Sequence, residues 1–177
     1  MRRLAVIALA LCGVLGGVAT GAPAPLLTDP AGDHPIGAGD LLSASFSSIR
    51  TGAGTLQIDL VVAAAPSQLT PYSYAVTFQT LTCNFKAVYY SQPAGPLGFE
   101  SSGVGCDDGK SSELPTGDVT VSGTTITYRI PLAKSGLRRG DLLTKIRAST
   151  TLSGLVTAAE PTPHVQDTAT TEKTYRI

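Results

Sequence analysis

The sequence is poor in the side chains that most enzymes use for chemistry. It contains two histidines, three cysteines, one methionine and no tryptophan among 177 residues. A Ser-His-Asp triad needs a positioned histidine, but His34 and His164 each neighbour a proline in segments that we predict to be loops. No glycine-rich phosphate-binding motif occurs, and no two acids are paired as in a glycosidase. We therefore predict that the protein is not an enzyme and has no organic cofactor, with a small secreted hydrolase as the alternative.

A concentrated positive charge is also missing from the sequence. Lysine plus arginine and aspartate plus glutamate each number 13, and Arg138-Arg139 is the only adjacent basic pair beyond the N-terminus. Proteins that bind nucleic acid need a dense basic surface to displace counterions from the phosphates. The composition therefore argues against a nucleic-acid partner.

The N-terminal segment is typical of an exported protein. A basic start at residues 1–3 is followed by an uncharged apolar stretch over 4–19 and by small residues over 19–22. This order is that of a secretory signal peptide, and the apolar stretch is shorter than the roughly 20 residues of a membrane-spanning helix. We predict a signal peptide over 1–21, a single mature domain over 22–177, a secreted (extracellular) location and no membrane span after cleavage.

Two cysteines remain in the predicted mature chain, because Cys12 lies in the signal peptide. An even number of cysteines in an oxidising compartment predicts one disulfide, Cys83–Cys106. This disulfide would tie the centre of a glycine-rich, irregular segment, residues 98–117, to the strand around Cys83. Binding groups are commonly carried on loops that a rigid scaffold holds in place. One alternative function is therefore a secreted inhibitor or protein-interaction domain that presents the 98–117 loop, whereas the simpler interpretation is an ordered connection.

Strand signals dominate the rest of the chain. Residues 55–62, 72–79 and 124–130 alternate apolar and polar side chains with the period of two that a half-buried strand requires. Weaker strands are predicted over 42–48, 83–90, 119–121, 142–149 and 173–177, and glycine- or proline-containing turns separate them. Only 132–137 is predicted to form a helical turn. Seven to nine short strands without a long helix predict an all-β, antiparallel, jelly-roll-like β-sandwich.

The best candidate site in the sequence is acidic. Asp29 and Asp33 flank a Pro/Gly turn, Asp40 follows shortly after, and Asp167 lies near the other end of the chain. Calcium takes about six to eight oxygen ligands, so these residues predict a calcium site if the two ends of the domain meet. The alternative is that Asp29 and Asp33 only cap turns by bonding to their own backbone. A zinc site that combines the two histidines with Asp33 or Asp167 is a further alternative.

The order of these motifs resembles a known family. An Asp-Pro-x-Gly-Asp turn begins at Asp29, a Gly-Asp-Leu motif opens a strand at Asp40, and a Leu-x-Ile-x-Leu strand follows. The later motifs are residues 123–132, Gly140-Asp141 and Asp167-Thr168-Ala169. Together they resemble secreted bacterial sandwich domains related to family 9 carbohydrate-binding modules and DOMON-like domains, over about residues 26–177. The resemblance implies a jelly-roll sandwich with a structural calcium at Asp29, Asp33 and Asp167.

Aromatic side chains are the expected ligand contacts in such a family. Its carbohydrate modules hold sugar rings between aromatic residues, often tryptophan, and this chain has none. The one adjacent aromatic pair is Tyr89-Tyr90, the candidate ligand contact, since aromatic faces stack on sugar rings. Haem-binding DOMON domains use Met and His ligands, whereas the only methionine here is Met1. We expect a non-catalytic extracellular binding or cell-envelope-associated domain whose partner is a glycan or a protein.

Overall fold

The chain folds into two antiparallel β-sheets. The computed structural model describes residues 23–33, 39–67, 72–91, 98–102, 112–113, 118–152 and 164–177. Within these ranges the elements are β1 (Leu27–Thr28), β2 (Leu41–Ile49), β3 (Thr55–Val62), β4 (Tyr72–Gln79), β5 (Asn84–Tyr90), β6 (Gly98–Ser102), β7 (Ser112–Glu113), β8 (Val119–Ser122), β9 (Thr125–Pro131), α1 (Leu132–Ser135), β10 (Leu142–Leu152), β11 (His164–Thr171) and β12 (Tyr175–Arg176). The predicted signal peptide lies outside the described residues. No helix in the described part of the chain is long and apolar enough to span a membrane.

The sheet order confirms the predicted all-β sandwich. The first sheet has the order β1–β2–β3–β9–β8, and the second has the order β11–β10–β4–β5–β6–β7 with β12 paired to β10. The core lies between them, because the buried sides of β3, β4 and β9 are almost entirely apolar or aromatic. Phe46 of the first sheet meets Phe78 of the second edge to face, with 6.4 Å between ring centroids. Tyr128 of β9 donates a hydrogen bond to the Tyr74 carbonyl of β4 at 2.9 Å.

Alternation explains why the strongest predicted strands form. In β3 every second side chain, from Leu56 to Val62, is fully buried and the intervening residues are half-buried, so one face of the strand meets the core. The predicted bounds 55–62 and 72–79 agree with β3 and β4 at both ends. The predicted helical turn is confirmed as α1, which ends at Gly136 in the left-handed conformation, φ +76°.

Three strands depart from the sequence-based expectation. Residues 98–117 form the least regular segment in the sequence-based prediction, but β6 and β7 extend the second sheet within it. The strand β11 was not predicted, because it is mainly polar and lacks apolar alternation. It forms because β10 provides a partner strand along its whole length. The described strands therefore outnumber the seven to nine that were predicted.

Strand direction defines two ends of the sandwich. At the first end β2 and β4 begin and β10 finishes. There the Leu41 amide donates a hydrogen bond to Asp167, which lies opposite Thr150 of β10. At the second end β2 and β4 finish and β10 begins. There Ser48 shares a 2.8 Å hydrogen bond with the Tyr175 hydroxyl, and Tyr175 pairs with Leu143. These hydrogen bonds show that both sheets contribute to each end.

Candidate metal centre

The four predicted aspartates come together at the first end. Asp29 follows β1, which pairs with β2, and its amide donates to the Leu42 carbonyl at 3.0 Å. Asp33 lies in the turn that continues from it, and Asp40 immediately precedes β2. Asp167 reaches the same place from β11, which lies near β1. The predicted condition that the two ends of the domain meet is therefore fulfilled.

The spacing of the carboxylates suits a single cation. One carboxylate oxygen from each of Asp29, Asp33 and Asp167 lies within 4.8 Å of the other two. Calcium–oxygen bonds are about 2.3–2.6 Å long, so two ligands on opposite sides of one ion lie about 5 Å apart. All three oxygens can therefore reach one calcium ion with small side-chain adjustments.

Two buried oxygens in the cluster have no hydrogen-bond donor among the described residues. Asp40 is only 2 % exposed, and its Oδ2 accepts a 2.8 Å bond from the Gly32 amide. Its Oδ1 is buried and accepts no hydrogen bond from any described residue, and the same holds for Oδ2 of Asp29. A buried carboxylate oxygen without a donor costs the desolvation energy of that group. A cation in the cluster would supply the missing interaction.

Backbone groups hold Asp167 in place before any ion binds. Its Oδ2 accepts from the Leu41 amide at 2.7 Å, and its Oδ1 accepts from the Thr168 amide at 2.6 Å. Thr150, opposite Asp167, is fully buried and donates its hydroxyl to the Gly39 carbonyl at 2.6 Å. These bonds attach the segment before β2 to the second sheet, so the carboxylate positions are fixed by both sheets.

The cluster disfavours the charged forms of two of its acids, through desolvation and through mutual repulsion. Desolvation, followed by the charges of Asp167 and Asp33, raises the pKa of Asp29 from 3.8 to about 6. Desolvation and the charge of Asp167 likewise raise the pKa of Asp33. No described lysine or arginine contributes to either shift. A divalent cation would remove this repulsion, because it is attracted to every member of the cluster.

The donor set indicates which kind of metal fits. Every ligand atom identified here is a carboxylate oxygen, which suits a hard cation such as calcium better than zinc, whose sites use nitrogen and sulfur as well. The zinc alternative stays a prediction, because His34 and the side chain of His164 lie outside what the structure describes. Sequence reasoning identified all four acids, but it did not identify Thr150, which lies in a strand with several other hydroxyl residues.

The remaining predicted site residues are not part of this cluster. Cys83 lies partly buried against the core just before β5, and Cys106 is outside the described residues, so the disulfide between them stays a prediction. Tyr89 packs against the core and stacks on Tyr74 with 6.0 Å between ring centroids. Tyr90 is half-buried on the opposite face of β5, where it pairs with Ser73. Of the two tyrosines, therefore, Tyr90 faces away from the core.

Comparisons with protein-family models, curated proteins and solved structures yield no match for this chain. The resemblance to family 9 carbohydrate-binding modules and DOMON-like domains therefore stays a prediction.

Proposed function

We propose that the protein is a secreted, non-catalytic β-sandwich domain stabilised by a calcium ion at the first end, with an extracellular binding or envelope-associated role. The observation that carries the proposal is the pair of buried carboxylate oxygens, on Asp29 and Asp40, that have no described donor. Turn capping would provide backbone donors for such oxygens. A hard cation explains their burial and the convergence of Asp33 and Asp167 on the same point.

The ion would connect parts of the chain that are distant in sequence. The strand β1 is only two residues long, and it lies at the edge of the first sheet. Asp29 and Asp33 belong to the segment that follows it, whereas Asp167 belongs to the edge strand of the second sheet. Calcium would therefore hold two edge elements together, and because it binds only the folded state it would stabilise that state.

Cavities among the described residues lie at the second end of the sandwich. One of about 250 Å³ lies beside the β4–β5 turn, and another of about 200 Å³ lies beside Arg50 and Arg139. Neither lining includes a histidine or an acidic side chain. The partner that we propose is a glycan or a protein, for which the outward-facing Tyr90 is the aromatic contact.

Thermal melting in different metals tests the calcium site. We expect calcium to raise the melting temperature of the protein above its value in EDTA, with smaller effects of magnesium and zinc. The variant Asp33→Asn should reduce the calcium effect, because Asp33 is an exposed member of the cluster. Asp59→Asn is the matched control, since Asp59 binds Gln57 and Thr127 on the polar face of β3. A calcium effect that is absent, or that both variants change equally, would contradict the proposal.

A further inference from the structure

The fold separates charges that are balanced in the sequence. The second end carries a set of basic residues that we call the cationic surface: Arg50, Lys134, Arg138, Arg139, Lys145, Lys173 and Arg176. Arg50 follows β2, and Lys134, Arg138 and Arg139 lie between β9 and β10. Lys145 lies near the start of β10, and Lys173 and Arg176 follow β11. Among the described residues, the acids in the same turns are Asp141 and Glu172. Asp141 accepts a 2.7 Å bond from the neutral Arg138 amide and keeps its charge, so seven basic side chains stand against two acidic ones in these turns.

Apolar side chains are exposed at the same end. Four large apolar residues are exposed in the described part of the chain, and three of them, Ile49, Leu81 and Leu142, lie at the second end. Leu81 is 100 % exposed at the tip of the β4–β5 turn. The Thr80 amide donates to the Cys83 carbonyl at 2.8 Å and fixes that turn. A single exposed leucine is ordinary, but here three exposed apolar side chains lie at the same end of the sandwich as the cationic surface.

Several hydrogen bonds make the cationic surface rigid. The Arg139 guanidinium donates to the carbonyls of Arg50 and Gly52 at 2.9 and 3.1 Å, and Arg176 donates to the Gly140 carbonyl at 2.9 Å. Between Arg50 and Arg139 lies the cavity of about 200 Å³, whose lining includes the apolar side chains of Ile49 and Leu132. The end therefore presents cationic groups around apolar ones in a fixed arrangement.

We propose that the second end docks onto an anionic lipid bilayer. Such a bilayer offers negatively charged headgroups to lysine and arginine and an acyl boundary to exposed apolar side chains. A soluble polyanion would use the charges alone and would leave the exposure of Leu81 without a role. The inference extends the envelope-associated role proposed above, but it does not use the calcium site.

The negative charge of the aspartate cluster would orient the docked domain without cancelling the attraction between the cationic surface and the anionic bilayer. Thr150, opposite Asp167, lies eight residues from Leu142 along β10. At ~3.3 Å per residue this is about 26 Å. The Debye length at physiological salt is about 8 Å, so the acids barely screen the cationic surface. Their own repulsion from the bilayer favours an end-on orientation in which the first end points away.

Vesicle sedimentation tests the proposal. Because the basic start and the apolar stretch of residues 1–21 would themselves bind lipid, the assay uses residues 22–177, which contain every described strand. The vesicles contain phosphatidylcholine with or without phosphatidylglycerol, and EDTA is present. We expect partitioning only into the anionic vesicles. Lys134→Gln combined with Lys173→Gln should lower it about 25-fold, at about five-fold per charge near the surface, and Leu81→Ser should lower it about ten-fold.

Matched variants identify the surface that binds. Arg129→Gln combined with Arg147→Gln neutralises two charges on the mid-strand faces, and Val121→Ser changes an exposed apolar residue outside the second end. Both should leave partitioning unchanged. Equal losses in these controls, or no partitioning into anionic vesicles, would overturn the proposal.

Two other outcomes would also overturn it. In a second assay with calcium in place of EDTA, binding that appears only with calcium and persists in the double lysine variant would place the contact at the first end. Binding to soluble polyphosphate that equals vesicle binding and ignores Leu81→Ser would identify a polyanion as the partner. None of these results depends on the melting experiment, so failure of the lipid surface and failure of the calcium site are distinguishable.

Discussion

Replacing Asp29 by asparagine should change the stability of the protein in opposite directions with and without calcium. In the absence of metal, the substitution removes a charge that the fold holds in an unfavourable place. The pKa of Asp29 rises from 3.8 to about 6, which would correspond to about 3 kcal/mol at ~1.36 kcal/mol per pKa unit. Solvent screening at this partly exposed position reduces the effect to about 1 kcal/mol. In EDTA at neutral pH, Asp29→Asn should therefore melt about 2–4 °C above the wild type.

Calcium should reverse that order. At a free calcium concentration about 100 times its Kd, the wild-type protein gains about 2.7 kcal/mol. A variant that binds a hundred-fold less tightly, because one carboxylate ligand is missing, gains only about 0.4 kcal/mol. The wild type should then be the more stable protein.

Thermal melting followed by circular dichroism, in calcium and in EDTA, measures both differences. Asp59→Asn serves as the control, because its hydrogen bonds lie on β3 and β9, away from the cluster. Loss of a turn cap would lower the melting temperature equally in both media. That result for Asp29→Asn would refute the metal-site argument.

Three further measurements test Asp29, the two cysteines and two buried tyrosines. Because the pKa of Asp29 is raised, the native state of the metal-free protein binds more protons than the unfolded chain. The stability of the metal-free protein should therefore fall as pH rises from about 4 to about 6. Urea titrations in EDTA at several pH values would show this fall, and calcium should suppress it. Mass spectrometry without reductant should find Cys83 and Cys106 in one disulfide, and reduction should cost about 3 kcal/mol of stability. Tyr128→Phe should lower the stability by about 1 kcal/mol, because it removes a buried 2.9 Å hydrogen bond. Tyr72→Phe should be neutral or stabilising, since the Tyr72 hydroxyl is buried and has no described hydrogen-bond partner. Denaturant titration of the two variants gives the comparison.

The parts of the fold that could be predicted from the sequence are the strands whose own apolar–polar alternation shows which face is buried. In 55–62 every second residue is apolar because one face of β3 meets the core. By contrast, β11 carries little of this signal, and its place is set by pairing with β10. Its contribution to the site depends on a contact between Asp167 and Leu41, which are 126 residues apart. The acids themselves were predictable, but their meeting required an assumption about where the chain ends lie.

The charge separation could not be read from the sequence at all. Basic and acidic residues number 13 each, and the cationic surface gathers its members from segments on both sides of β9 and β10. Their meeting follows from strand direction, which brings the end of β2, the turn after α1 and the residues after β11 to the same place. Composition correctly describes the net charge, but the field at a surface depends on position.

The two proposed sites should act independently, and the distance between them is the reason. Calcium would neutralise part of the negative charge at the first end, about 26 Å from the start of β10 by strand length. With a Debye length of about 8 Å, little of that change reaches the second end through solvent. Linkage requires that a ligand which does not change the affinity for a second ligand is itself unaffected by it. Calcium affinity should therefore be the same with and without anionic vesicles, and isothermal titration would measure it. A difference between the two affinities would mean that the sandwich transmits strain along its strands, since electrostatics at this distance does not account for it.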